Sequence, residues 1–376
     1  MKIYRFQFHF LMLSLCVSLT QFSCTTPKEN NAERADVEMT DPEKGLKDYY
    51  TSYFPIGVAV SPRSLKDTTL TPLILKEFES MTPENVMKMG PIHPMENEYN
   101  WGPADEIVAF AEANNLMLHG HTLCWHSQTP DWLFVDDDGE FVTKEVLLQR
   151  LEDHIRNVAG RYNGKIYAWD VVNEVISDTK DELYRSSPWY QICGEDFIIK
   201  AFQYAKKYAP NAILYYNDYN VIDSLKGAKI VRMVNDLKAK GAPIEGIGIQ
   251  GHWSVYEPSE AQLRATFNQL KPLNLPLQIT ELDISVYPKE HSRRDRKETD
   301  VDAFTPELEQ LQIEKYKMIF EVFRDYNDVL TGVTFWNISD RHSWLDNFPV
   351  RGRKDYPLLF DQEEKPKKAY LEVVDF

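Results

Sequence analysis

Cysteine is scarce. There are four in 376 residues, and two of them, Cys16 and Cys24, fall near the N-terminus. Cys124 and Cys193 alone cannot make a disulfide framework. One bridge stays open in principle, but both thiols are expected to be free and buried. Positive charge is also in deficit, with 42 Lys and Arg against 58 Asp and Glu, a net charge of −16. Such a chain repels phosphate backbones and acidic polymers, which argues against nucleic acid and leaves a neutral ligand. No apolar run is long enough for a convincing membrane span, since "FHFLMLSLCVSLTQF" is short and interrupted by His9. Gly and Pro stand at ordinary levels, which excludes collagen-like and broadly disordered classes. No repeat of fixed long period is present.

The N-terminal stretch reads as a targeting segment. Lys2 and Arg5 form a positive n-region, the apolar run follows, and a small Ser23 stands immediately before Cys24. This resembles a bacterial lipoprotein signal, in which the cysteine becomes the lipidated first residue, although Gln21 stands where such signals usually carry Leu. The alternative is an ordinary cleaved signal with an incidental cysteine. "TTPKENNAERADVEMTDPEK" is polar and reads as a tether. The expected division is a signal at 1–23, a lipidated tether at 24–45 and a catalytic domain at 46–376. Export to the cell envelope follows, with Cys24 as the membrane attachment, or secretion if Cys24 is incidental.

Beyond the tether the composition supports a large core, with 43% hydrophobic and 12% aromatic residues. Short β-rich runs alternate with helical ones. The eight strand candidates are "PIGVAV", "FESMTP", "LMLHGHTLCW", "KIYAWDVVNE", "AILYYNDYN", "IEGIGIQGH", "LPLQITELDI" and "LTGVTFWNIS". Between them, "ADEIVAFAEANN", "KEVLLQRLEDHIRNVAGRY" and similar stretches carry apolar residues at helical spacing. Asn115, Gly160 and Gly241 serve as stop signals. Strand–helix alternation implies a parallel sheet. Eight units in this length fit one α/β (β/α)₈ barrel, with a doubly wound open sheet as the alternative. The charged run "KEHSRRDRKETD" is expected to be a solvated loop.

In a barrel, functional side chains gather at the C-terminal ends of the strands. Those ends here carry Glu84, Asn85, His121, Trp125, His126, Asn173, Glu174, Asp218, Tyr219, Gln250, His252, Glu281, Asp283, Trp336 and Asn337. Aromatic faces stack on the C–H faces of a sugar ring, and amides and acids take its hydroxyls. Glu281 in "QITELDI" sits in an otherwise apolar strand, and an unpartnered buried carboxylate is costly. Glu174 in "WDVVNE" ends the strand on the opposite side of the barrel mouth. Two carboxyls so placed can flank a glycosidic bond. Taken singly, each Glu is as readily a rim ion pair.

Ordered motifs sharpen this. "TPENVMKM", "GHTLCWHSQTPDW", "WDVVNE", "NDYN", "GIGIQGHW", "ITELDI" and the closing "PLLFDQEEKPKKAY" resemble those of glycoside hydrolase family 10, the endo-1,4-β-xylanases, from about Leu46 to Phe376. The resemblance implies a retaining endo-1,4-β-xylanase acting on xylan and xylo-oligosaccharides, with Glu281 as nucleophile and Glu174 as general acid/base. His252 is expected to hydrogen-bond Glu281 and to be oriented by Asp283, which shares a strand face with Glu281. The neighbouring charge of Glu281 is expected to raise the pKa of Glu174. The resemblance also implies that Glu84, Asn85, Lys88, His121, Trp125, Asn173 and Gln250 bind the glycone side. It gives Trp336 and Trp344 the roof of the cleavage subsite, and Tyr219 an aglycone stacking role. No cofactor is needed, and a monomer is expected. Met89 and "GPIHPMENEYNW" depart from the family pattern at the glycone rim.

Two other motifs carry little weight. "GIGIQG" fits G-x-G-x-x-G but is not followed by a helix. In "HGHTLCWH", His119 and His121 share a strand face while Cys124 and His126 fall on the other register, so no zinc site is expected. The remaining rivals are another retaining β-1,4-glycanase of the same barrel clan and a non-catalytic glycan-binding lipoprotein.

Overall fold

Strand residues buried on both faces require helices on the outside of the sheet and side chains filling its inside. The computed structural model describes residues 41, 43–290 and 292–376. The expected signal, Cys24 and nearly all of the expected tether lie outside the described residues. Among the described residues nine strands run in chain order: β1 (Ile56–Val60), β2 (Ser80–Pro83), β3 (Met117–Trp125), β4 (Ala168–Asn173), β5 (Ile213–Asp218), β6 (Gly246–Ile249), β7 (His252–Ser254), β8 (Leu277–Ser285) and β9 (Leu330–Phe335). All pairings between them are parallel, in the order β6-β5-β4-β3-β2-β1-β9-β8, and β6 pairs with β8 to close an eight-stranded barrel. The short β7 is an extra strand on the outer half of β8, with His252 opposite Asp283.

One glycine explains why the sixth sequence run is two strands. Gly251 has φ +83°, and a Cβ there would lie 2.9 Å from Ile279. Only glycine adopts that left-handed geometry cheaply, so the chain turns and His252 is re-aimed at the barrel mouth. A second glycine is dictated by packing. At Gly120 on β3, a Cβ would fall 2.2 Å from the ring of Trp169, which is fully buried.

The outer layer is helical. Helices at Leu70–Glu77, Gly102–Ala113, Lys144–Arg161, Asp196–Tyr208, Ser224–Ala239, Glu260–Leu270, Pro306–Asp325 and Lys368–Val374 match the expected helical stretches. Their starts are chemically marked: Ser259 and Gln262 form a capping box, and the Asp223 carboxylate accepts the N–H groups of Leu225 and Lys226. Gly160 does not end a helix; it lies in the last turn of Lys144–Arg161, and the left-handed residue is Gly164 at φ +81°. A short helix at Leu46–Tyr50 is tied to the first and last helices of this layer. Buried Glu77 accepts the Leu46 N–H and the Tyr370 hydroxyl, each at 2.8 Å, and the Tyr50 hydroxyl donates to Val373 O at 2.6 Å. Cys124 and Cys193 are free and buried. Among the described residues, no helix is long and apolar enough to cross a membrane.

Candidate active site

The strand ends converge on one cleft of about 840 Å³. Most of the residues singled out at the mouth line it: Glu84, Asn85 and Lys88 after β2; His121 and Trp125 on β3; Asn173 and Glu174 at the end of β4; Tyr219 after β5; Gln250 and His252 around the β6–β7 turn; Glu281 and Asp283 on β8; and Trp336 and Trp344 beyond β9; His126, Asp218 and Asn337 do not.

Glu281 is buried and held by two different donors. The Asn217 amide donates to its Oε1 at 2.8 Å, and His252 Nε2 lies 3.2 Å from its Oε2. His252 Nδ1 in turn meets Asp283 Oδ2 at 2.9 Å, and the indole N–H of Trp344 donates to that same oxygen at 2.8 Å. Burial alone would lower the proton affinity of His252, but the charges of Asp283 and Glu281 overcome it and push the imidazole up to about 10. His252 is therefore a cation near neutral pH, and both its nitrogens donate. Burial pushes the Glu281 carboxyl up. The His252 hydrogen bond and the electrostatic pull of His121, His252 and Lys88 more than offset this, so Glu281 sits below its ordinary value. Charge-assisted donors of this kind are the strong ones.

Glu174 meets a different set. Gln250 Nε2 donates to Oε1 at 2.7 Å, Asn173 Nδ2 donates to the same oxygen at 3.3 Å, and the Trp125 indole N–H donates to Oε2 at 2.7 Å. All three donors are neutral. Burial dominates, Asp218 adds to it, and the Glu174 carboxyl is raised. Glu281 raises it too, as expected, but as a smaller contribution than burial or Asp218. The backbone at Glu174 is left-handed, with φ +59°. For a non-glycine residue this costs on the order of 1–3 kcal/mol. It is secured by the Glu174 N–H on Asn217 O (2.9 Å) and by Arg185 Nε on Glu174 O (3.1 Å).

Asn217 ties the halves together, since its amide donates both to Glu281 and to Asn173 Oδ1 at 3.1 Å. It was not among the expected site residues. Period-two spacing before Tyr219 carries its signal, because residues 215, 217 and 219 alternate onto one strand face. On the opposite flank, Lys88 Nζ bonds Asn85 Oδ1 at 2.9 Å and lies 5.1 Å and 5.9 Å from the ring centres of Trp125 and Trp336. Tyr219 is held by Arg185 and Asp178, with Lys226 Nζ 3.6 Å from its ring centre.

The charged run after β8 is not simply a solvated loop. Arg294 pairs with both Glu290 and Asp300, buried Arg353 joins Glu290 at 3.0 Å, and Lys289, Glu290 and Arg293 line the cleft. The histidine-rich stretch also has a structural explanation. His119 Nε2 and His121 Nδ1 clasp the two oxygens of Asp170 at 2.9 and 2.8 Å. Among the described residues, no group of three or more His, Cys, Asp and Glu side chains is arranged to hold a metal ion.

A family model described as glycosyl hydrolase family 10 matches residues 45–376. The chain is 46% identical over 369 residues to a β-1,4-xylanase of Dictyoglomus thermophilum, covering 98% of this chain and 99% of that one. It is 45% identical over 325 residues to endo-1,4-β-xylanase B of Paenibacillus barcinonensis, covering 86% of this chain and 96% of that one. The crystal structure of xylanase XynB from Paenibacillus barcinonensis, complexed with a conduramine derivative, superposes with a TM-score of 0.85 at 44% identity, covering 89% of this chain and 99% of that one.

Proposed function

The chain belongs to glycosyl hydrolase family 10, and from that premise we propose how the residues of its cleft divide the chemistry. The protein is a glycoside hydrolase, an endo-1,4-β-xylanase that cuts internal β-1,4-xylosidic bonds of xylan with retention. Glu281 is the nucleophile. Its carboxylate attacks the anomeric carbon while Glu174 gives its proton to the glycosidic oxygen, so the C–O bond breaks and the aglycone leaves as an alcohol. A covalent glycosyl-enzyme results. Glu174, now a carboxylate, takes a proton from water as that water attacks the anomeric carbon. The bond to Glu281 breaks, and both carboxyls return to their starting states.

One observation carries this reading: two buried glutamates face one cleft with opposite proton affinities, Glu281 lowered and Glu174 raised. That is the pattern a nucleophile and a general acid need at the same pH. His252, oriented by Asp283, keeps Glu281 ionised. Glu84, Asn85, Lys88, His121, Trp125, Asn173 and Gln250 hold the glycone sugars, Trp336 and Trp344 roof the cleavage point, and Tyr219 stacks on the aglycone side. A related mutant enzyme has been solved in complex with xylotriose, with a TM-score of 0.84 and 45% identity to this chain, which supports a xylo-oligosaccharide as the ligand.

The proposal extends to the ends of the chain: a signal at 1–23, a lipidated tether at 24–45 carrying Cys24, and a monomeric catalytic domain at 46–376 held at the cell envelope. Labelled palmitate should be incorporated into the natural protein and not into Cys24→Ala; equal labelling would remove the anchor. The activity is tested by turnover of xylo- against cello-oligosaccharides. Faster turnover of xylo-oligosaccharides, with the first product in the β configuration, is expected. Faster cello-oligosaccharide turnover would transfer the enzyme to the wider β-1,4-glycanase class.

A further inference from the structure

Behind Glu174 lies a third carboxylate. The Glu174 N–H bonds the carbonyl of Asn217, which sets Asp218 beside it on the adjoining strand. Asp218 is fully buried. Its Oδ1 accepts from Lys226 Nζ at 2.9 Å and from the Tyr219 N–H at 2.8 Å, and its Oδ2 accepts from the Tyr216 hydroxyl. Burial pushes the Asp218 carboxyl above its ordinary value, and the charge of Lys226 and the three donors oppose that and favour its charged form. Lys226 is shared, because its Nζ also lies 2.9 Å from Asp178 Oδ1. Asp178 Oδ2 takes Arg185 Nη2 at 3.2 Å and the Tyr219 hydroxyl, and Arg185 Nε reaches the Glu174 carbonyl. Charges thus alternate from Asp218 through Lys226, Asp178 and Arg185 to the backbone of Glu174.

Trp125, Gln250 and Asn173 are neutral donors to the Glu174 carboxyl. His126 Nδ1 is 4.0 Å from Oε2, and burial together with Arg185 pushes that imidazole down to about 4, so it is neutral near pH 6. Glu281 is an anion across the cleft, and Lys88 is a cation that feels Glu174. Glu281 loses its charge when it bonds the sugar. Asp218 forms no such bond, and its buried ion pair with Lys226 does not depend on the state of Glu281.

We propose that Asp218 is a positioning residue for the reaction: its fixed negative charge holds the proton on Glu174 until the glycosidic oxygen takes it. This rests on the reading of Glu174 as the acid/base. It has an asymmetric consequence. Asp218 assists the first step, which needs Glu174 protonated, and opposes the second, which needs it ionised.

The test is a pair of pH profiles on the full chain carrying Asp218→Asn, which keeps the shape and removes the charge. kcat/KM for xylotetraose reports formation of the glycosyl-enzyme, and its basic limb is expected at lower pH than in the natural protein. Above that limb the rate falls about tenfold for each unit of displacement. kcat for a dinitrophenyl β-xylobioside, whose phenolate leaves without a proton, reports hydrolysis of the glycosyl-enzyme. Its acidic limb is also expected at lower pH. Asp218→Ala should give the same two displacements if the asparagine variant does not fold. Damage to the fold scales all rates without moving either limb, and that result would overturn the proposal. So would an equal displacement in Asp178→Asn, which removes a carboxylate one ion pair further away. The controls separate this proposal from its premise. If Glu174→Gln keeps the basic limb on xylotetraose, Glu174 is not the acid and the premise fails. If it loses that limb while both Asp218 variants keep natural limbs, the premise survives and Asp218 has no such role.

Discussion

Glu281 and Glu174 are the same residue type, both buried, both at the ends of barrel strands, yet their proton affinities move in opposite directions. The difference lies in their donors. Glu281 has one neutral amide, Asn217, and one imidazolium, His252, which is backed by Asp283 and by the Trp344 indole. Glu174 has only neutral donors, two side-chain amides and an indole. Neutral hydrogen bonds reduce the penalty of burying a carboxylate, whereas a cation in contact reverses it. A general acid and a nucleophile thus arise from one side chain type through whether a donor carries charge.

The strongest way to break this contrast is to remove the nucleophile. Glu281→Ala should lose on the order of four or more decades of hydrolysis, as knockouts of covalent nucleophiles do. Calorimetric binding of xylotriose should persist, because the amides and aromatics of the cleft remain. Glu174→Gln comes next. It should cost roughly 10²–10⁴-fold on xylan, and much less in the first step on a dinitrophenyl xylobioside, a difference that single-turnover kinetics would read.

A smaller effect sharpens the contrast by converting one half toward the other. His252→Gln keeps a donor to Glu281 and removes the charge. A charged hydrogen bond is worth about 1.5–3 kcal/mol, so kcat/KM should fall roughly 10- to 100-fold, and the acidic limb should move to higher pH as Glu281 becomes easier to protonate. The same residue leaves a stability signature. Its proton affinity is raised on folding from 6.5 to about 10. Its contribution is therefore complete below pH 6.5 and is lost as pH rises through about 10. Denaturant midpoints measured from pH 6 to 10 should decline less in His252→Gln than in the natural protein.

Away from the cleft the effects turn from rate to stability. A methyl at Gly120 would meet the rigid ring of Trp169, and overpacking of this kind typically costs about 1–3 kcal/mol. Gly120→Ala should lower the melting temperature, while the residual folded enzyme keeps the natural pH profile. A shifted profile would mean that wall packing and site electrostatics are not separable.

The fold was legible because barrel strands announce themselves as short apolar runs between amphipathic helices, and all eight runs contain a barrel strand. The short helices at Pro62–Lys66, Met89–Ile92 and Pro188–Cys193 escaped, since one turn or so carries too little periodicity to see. The break inside the sixth run depends on the left-handed Gly251, a backbone fact that the letters "QGHW" do not state. Among the site residues, those in named motifs were visible. Asn217 was hidden between Asp218 and Tyr216, and the charged run after β8 concealed partners more than fifty residues away, such as Arg353 for Glu290. Composition reports charges but not which of them meet. The weight of Asp218 on Glu174 was invisible for the same reason, because it depends on strand neighbours in space.

The most direct measurement is covalent trapping. A dinitrophenyl 2-deoxy-2-fluoro-β-xylobioside should form its glycosyl-enzyme quickly and hydrolyse it slowly, because the fluorine destabilises both oxocarbenium-like transition states while the good leaving group rescues only the first. Peptide mass analysis should then find one sugar per protein, bonded to Glu281, with Glu174 unmodified. A label on Glu174, or full turnover of natural substrate by a protein that never accumulates an adduct at Glu281, would contradict the account.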